Sequence, residues 1–550
     1  MPMSLLLRYL AFFFPAVSRS KSLAPQHVTS VKAADAVCAQ CHEAIYSSYL
    51  QTPMANASGL AASHLTPGTF HDKLSKIDYT LQSNHGEATL VWHDLRHPPA
   101  TGQTDLRYFL GSGHLGTTWL YEKNQYWFES PVAWYTTSHR YDMKPGMTGV
   151  TQMLPALPME NTCMRCHMSA VQPTVPGTLN EYAGLPFLHG GITCESCHGD
   201  TREHVVSGGK APVVNPAHLD PEARDSVCIS CHLEGDVTVE RVGHSVLNYR
   251  PGDPISRYLA YYVFAKADPL ARGVSEVEQF NQSMCKRMSG DKMSCTTCHD
   301  PHFDPSPSQK VAYYRSKCLT CHNAPAFLKT HHPDNPNCIG CHMPHNGSQN
   351  IPHVAWTDHR ILARPTPENT ADSTATNVLK PIFSPRANRR DLGMAYYLAY
   401  VRGNQAEGDK AWKLLSSQQQ AIQNDKAAPD ALGLLSIEHG DYASGQADFE
   451  RALKLDATDL TALSNLGVMM AKEGKLTKSV QDLGQAFNRN PDEAGLAMNL
   501  ARIECAMGNV SGVHSTLHTA LDYNPDVRAL ESFLNSAGEC RASSGAGKSQ

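Results

Sequence analysis

The spelling C-x-x-C-H occurs seven times in this chain of 550 residues. The copies are Cys38/Cys41/His42, Cys163/Cys166/His167, Cys194/Cys197/His198, Cys228/Cys231/His232, Cys295/Cys298/His299, Cys318/Cys321/His322 and Cys338/Cys341/His342. They use fourteen of seventeen cysteines, and His follows every pair although it is only 28 of 550 residues, so the pattern is not chance. A structural zinc site needs four tetrahedral ligands and gives no reason for an odd number of pairs or for His after each one. A structural disulfide across a two-residue gap makes a small strained ring typical of redox sites. Covalent haem c needs two thiols for the porphyrin and the adjacent His for one axial position on iron. The motifs therefore imply seven covalent haems c, with His42, His167, His198, His232, His299, His322 and His342 as proximal ligands. A chain tied to seven large apolar discs builds much of its core from them, so the surrounding polypeptide is expected to be short helices and loops.

The N-terminus agrees with this chemistry. Arg8 precedes an apolar run around Leu10–Val17, followed by Ala16, Ser18 and Ser20. Residues 1–20 read as a secretory signal peptide, with an uncleaved anchor as the other reading. The expected location is periplasmic or extracellular, with membrane contact only peripheral or through such an anchor. The net charge of −5 and the absence of a basic patch leave no case for nucleic acid.

Histidine divides the chain: only His439, His514 and His518 lie after residue 360. Residues 21–362 read as the haem domain. Within it, residues 70–135 read as a small β subdomain, with hairpin turns at Asn84-His85-Gly86 and Lys123-Asn124. Residues 363–390 are rich in Pro, Thr, Asn and Ser and read as a linker. Beyond them the period changes to 34 residues. Gly440, Gly474 and Gly508 keep that step, as do Leu432, Leu466 and Leu500, and Ala452, Ala486 and Ala520. Residues 391–530 therefore read as an all-α solenoid of tetratricopeptide type, three good repeats after a degenerate one. Its concave face is either a docking surface for a partner or a face packed on its own haem domain. Residues 531–550 read as a flexible tail. Ala542–Ser549 matches a relaxed phosphate-loop spelling but has no strand before it or helix after it.

The segments "CAQCHEAIYSSYLQTPMANAS", "YFLGSGHLGTTWL", "GITCESCHGDTREHV", "SCTTCHDPH" and "CIGCHMPH…HVAWTDHRI" resemble a bacterial multihaem cytochrome family. Its members carry a haem domain similar to the tetrahaem cytochrome of ammonia oxidisers, followed by tetratricopeptide repeats. The resemblance implies an exported electron-transfer protein. It also implies that His204, in "CHGDTREH", is a distal ligand.

Each proximal His leaves one face of its iron open, and an electron carrier closes that face with His or Met. His302 and His345, in C-H-x-P-H, sit three residues after a proximal His, so they are expected to cap a neighbouring haem. His332, His353 and His359 are further distal candidates. Met54 stands where related domains often carry a ligand His, and it reads either as a ligand or as a packed residue. His64, His71, His85, His93 and His97 are assigned structural or surface roles. Cys285 reads as a buried small residue, a third attachment point or a soft ligand, and Cys505 as repeat core.

Motifs five to seven lie within 48 residues and are expected to form a tight cluster. The expected function is electron transfer along seven haems with redox partner proteins, and the repeats make protein contacts. The alternative is an oxidoreductase acting on a small nitrogen compound at an open haem. No C-x-x-C-K occurs in the chain, and no residue is assigned as catalytic.

Overall fold

The computed structural model describes residues 27–96, 100–147, 157–159, 161–265, 272–347, 351, 355–363, 378–383, 387–418, 422 and 424–540. The expected signal peptide, His97, His353 and residues 541–550 lie outside the described residues, and of Cys163 only the backbone is described.

Alternation of apolar and polar residues builds an antiparallel sheet of nine strands on the N-terminal side. Strands Ile77–Asn84 and Glu87–Asp94 pair from Ile77↔Asp94 to Asn84↔Glu87. His85 and Gly86 both take positive φ, 49° and 84°, as a two-residue turn of the twist-matched kind requires. The next hairpin turns one residue later than expected, at Asn124-Gln125, where φ is 55° and 72°. Tyr79, Leu81, Leu90, Trp92, Phe109 and Trp119 fill one face. The sheet is wider than residues 70–135: Ser58–Leu60 pairs with Tyr108–Leu110, and Leu157–Pro158 with Phe128–Glu129. Strands of two or three residues are too short for alternation to show, and long-range pairing creates them.

Two more small sheets replace part of the expected loops. Thr29–Ser30, Phe187–Gly190 and Met168–Val171 form one. Val237–Glu240, Leu259–Phe264 and Leu379–Pro381 form the other. Leu379–Pro381 lies within the expected linker, so part of that segment is a paired strand, and its last two residues, Arg389 and Arg390, already open a helix.

After residue 388 the chain is helical. The antiparallel pairs are Arg389–Val401 with Gly408–Ser416, Ala428–Glu438 with Tyr442–Leu455, Leu460–Lys472 with Leu476–Phe487, and Ala494–Ala506 with Val510–Tyr523. Gly440, Gly474 and Gly508 end the first helix of three pairs with φ of 80°, 76° and 73°, the left-handed cap that glycine adopts without strain. Gly433 and Gly467 let the paired helices approach closely: a Cβ on either would lie 2.6 Å from Phe449 or Leu483. The helix Arg528–Ser536 runs past residue 530, where the tail was expected, and Cys540 is disulfide-bonded to Cys505. Cys505 is thus half of a covalent clasp.

The helical region is not detached from the rest. Met394, Ala395, Ala399 and Leu415 share one core with Val237, Val239, Tyr262 and Leu379. At the far end Arg96 bridges Asp94 and Asp526, and Arg528 also reaches Asp94. The two carboxylates are 0% and 3% exposed. Between these ends, Asn490 donates to the Gly177 carbonyl at 2.9 Å and accepts from the Leu179 amide at 3.0 Å. The repeats are fastened to the haem-motif region along their length.

Candidate functional site: a cavity lined by the cysteine–histidine motifs

In an α-turn, positions i, i+3 and i+4 face the same side, so C-x-x-C-H presents both thiols and the imidazole together. Six motifs lie on or directly end short helices, among them Ala36–Tyr49, Pro221–His232, Lys310–Leu319 and Cys338–His342. Their thiols line one connected cavity of about 2780 Å³, which Cys166 of the second motif also borders. That is several times the ~300–1,000 Å³ of a single small-ligand pocket. Met54, His204, His302, His332, His345 and His359 line the same cavity. His64, His71, His85, His93 and His439 do not. His71 instead contacts Asp78 at 2.6 Å, His93 contacts Thr101 at 3.0 Å, His64 stacks on Phe109 and His439 stacks on Trp412.

Four proximal imidazoles face a second imidazole. Ring centroids are 6.4 Å apart for His42 and His204, 6.0 Å for His198 and His302, 6.3 Å for His299 and His359, and 5.7 Å for His342 and His331. The planes differ by 12–30°. Two metal–nitrogen bonds of about 2.0 Å, plus half of each five-membered ring, span about 6 Å, so one iron fits between each pair. The Nδ1 atoms of His198, His204, His342 and His359 donate to the carbonyls of Val214, Ala211, Leu362 and Thr357 at 2.6–2.9 Å. A carbonyl only accepts, so Nδ1 carries the proton and Nε2 is left to bind metal. Burial, then the neighbouring imidazole of His359, pushes His299 down to about 4; burial, then His232, does the same to His167. Both are therefore neutral near pH 7, the form a metal requires.

The lining also suits haem as a solid group. Helices Lys310–Leu319, Pro325–Thr330 and Cys338–His342 bury no side chain against protein. Tyr249 Oη, Tyr313 Oη and Arg224 Nη2 are buried without a partner among the described residues and border the cavity.

The pairs place the candidate residues. His302 faces His198 of the third motif and not the proximal histidine of its own motif. His331, not His332, faces His342. The helix Pro325–Thr330 stops just before this His-His step, and His332 takes φ of 49°, which turns the two rings 65° apart. Nothing in two adjacent histidines distinguishes them; only the helix end does. His345 sits in a strand paired with Ala355–Thr357 and makes no imidazole pair among the described residues. Met54 packs with Val31, Tyr49 and Ala55. Cys285 lines the same cavity, half-buried, with its thiol pushed up by burial.

Thiols of different motifs also meet. The Cys38 and Cys194 sulfurs lie within 4.8 Å of one another. Cys166 contacts Cys231, Cys228 contacts Cys295 and Cys318 contacts Cys338. The sites thus adjoin first to third, second to fourth, fourth to fifth and sixth to seventh.

Two family models match the chain: "Cytochrome c554 and c-prime" over residues 123–199 and "Doubled CXXCH motif" over residues 288–327. The chain is a multihaem c-type cytochrome. The cytochrome is 26% identical over 179 residues to the "Multiheme cytochrome MtrA" of Shewanella baltica, a match covering 30% of this chain. It spans about half of that relative's length, 52%. Among solved structures it is similar to the "Outer Cell Wall Cytochrome OcwA" at 16% identity and a TM-score of 0.39, covering 77% of this chain and 98% of that one. It is also similar to the Pseudomonas aeruginosa pilF structure at 16% identity and a TM-score of 0.25, covering 27% of this chain and 67% of that one. No helix among the described residues is long and apolar enough to cross a membrane.

Proposed function

We propose that this cytochrome is an exported electron carrier with seven covalent haems in one continuous array. The reading rests above all on the four imidazole pairs within a single cavity. Haem supplies the one-electron centre at each motif. The paired motif cysteines would hold it through two thioethers, His204, His302, His359 and His331 would be the second ligands at four of the sites, and the cavity walls would shield it from water. At the first, third, fifth and seventh motifs two imidazoles would hold the metal and leave no place for a substrate, which favours transfer over chemistry on a small nitrogen compound. The thiols that meet support three neighbouring groups within the array: first with third, second with fourth and fifth, and sixth with seventh. Export is supported by the leader-like N-terminus and by the Cys505–Cys540 disulfide, which persists in oxidising compartments. The helical pairs act as tetratricopeptide repeats. One rim lies on the haem-motif region, and the other surfaces are free to meet a redox partner protein.

The test is spectroscopy on the full-length holoprotein. Intact mass should show seven added haems, and electron paramagnetic resonance should show mostly low-spin ferric iron. His331→Ala should turn one low-spin centre high-spin, while His332→Ala leaves the spectrum as it was. A mostly high-spin oxidised protein would sink the reading and favour the enzyme.

A further inference from the structure

We propose that Arg165 raises the reduction potentials of the haems held at the second and fourth motifs above those of the other five; the proposal rests on the seven-haem reading. Arg165 occupies the second variable position of its own motif, between Cys163 and Cys166. Its carbonyl accepts from the Cys231 thiol at 3.8 Å. Its guanidinium reaches across and donates through Nη1 to the carbonyl of Ser230, inside the fourth motif. The cation is therefore wedged between two attachment loops whose thiols, Cys166 and Cys231, touch.

Among the described residues no acid answers its charge. Other partly buried arginines of the region face acids: Arg224 meets Asp225, Arg272 meets Asp236 and Glu278, and Arg241 meets Asp391. Arg165 has no carboxylate partner among the described residues, and its buried Nε has no acceptor. The neighbours that bear on it are Cys166, Cys231 and Tyr261, whose neutral hydroxyl lies beside it on a side chain 2% exposed. A haem c would carry its propionates on the edge away from its thioether bonds, so the two haems held here would not neutralise this cation with their own propionates. Reduction adds one negative charge to each centre. An uncompensated cation beside it, in a site of low effective dielectric, favours the reduced form. The second motif adjoins the fourth, and the fourth adjoins the fifth. Electrons then collect there ahead of the neighbouring centres.

The experiment is a potentiometric titration of the haem-loaded full-length protein, followed by haem absorbance. Arg165→Gln should lower two of the seven midpoints, changing the oxidised-to-reduced ratio at fixed potential by about tenfold, ~59 mV for one electron. Arg165→Lys, which keeps the charge, should restore most of the shift. Midpoints that stay put, or seven that move together, overturn the proposal. A glutamine variant that carries fewer haems than wild type also overturns it, because the role is then attachment. Intact mass of the wild type is read in the same series, so a shortfall from seven haems registers against the seven-haem reading and not against Arg165.

Discussion

Helix Lys310–Leu319 of the motif region buries no side chain against protein, whereas Leu460–Lys472 of the repeats buries five, including Leu463, Leu466 and Met470. Both are short helices of one chain. The first turns its apolar side toward a cavity and the second toward the next helix. Stability in the repeats is a sum over neighbouring pairs of polypeptide surfaces. In the motif region the missing surface belongs to a covalently held group, so folding and haem attachment are one event there.

The largest expected effect follows from that difference. In a host that does not attach haem, residues 295–347 of the full-length protein should exchange amide hydrogens freely, while residues 428–523 stay protected. Protection of Lys310–Leu319 in the haem-free protein would break the comparison. Next comes the joint between the two regions. Arg96→Ala leaves Asp94 and Asp526 buried with less compensation and should cost about 3 kcal/mol. It should be read as a melting transition of the repeats that parts from that of the haem region. A loss confined to the haem region would show that the network serves the sheet alone. Cys505→Ser opens a clasp of 35 residues and should cost about 2–3 kcal/mol, confined to the last helices. Reductant should have the same effect on the wild type and none on the variant.

The smallest effect is at Asp492, which is 2% exposed, beside Asn180 of the haem-motif region. Burial pushes its carboxyl from the ordinary 3.8 up to about 6. The folded form therefore holds the proton more tightly than the unfolded one. Stability contributed by the protonated group is present below about pH 4 and is lost as pH rises through 6. Asp492→Asn should stabilise the protein by roughly 2 kcal/mol at pH 7.5 and by nothing near pH 4, measured by denaturant melts at both. A gain that is equal at both values would mean that the carboxylate is not the cause.

Several features were legible without coordinates because a local rule carries them. Seven motifs spell their chemistry in five residues each. The 34-residue step of Gly440, Gly474 and Gly508 follows from a repeated helical cap, and the turn at His85-Gly86 from a two-residue hairpin. His204, His302 and His359 were singled out as ligands, and the structure sets each opposite a proximal imidazole. His331 was missed, and Met54 and His345 find no such partner, because a distal ligand is defined by where another segment lies. The strand Leu379–Pro381 escaped for the same reason: its partner is Leu259–Phe264, more than a hundred residues away.

The amino-acid sequence by itself determined the cofactor chemistry, the division into a cysteine–histidine region and a repeat region, and the helical period of the latter. Each of these depends on residues close together along the chain. Tertiary structure alone decided which imidazole faces which, which attachment sites adjoin, that Cys505 bonds Cys540, and that the repeats lie against the sheet through Asp94, Arg96 and Asp526. Those outcomes need atoms from distant segments brought within a few ångströms, and such distances are set by packing of the whole chain.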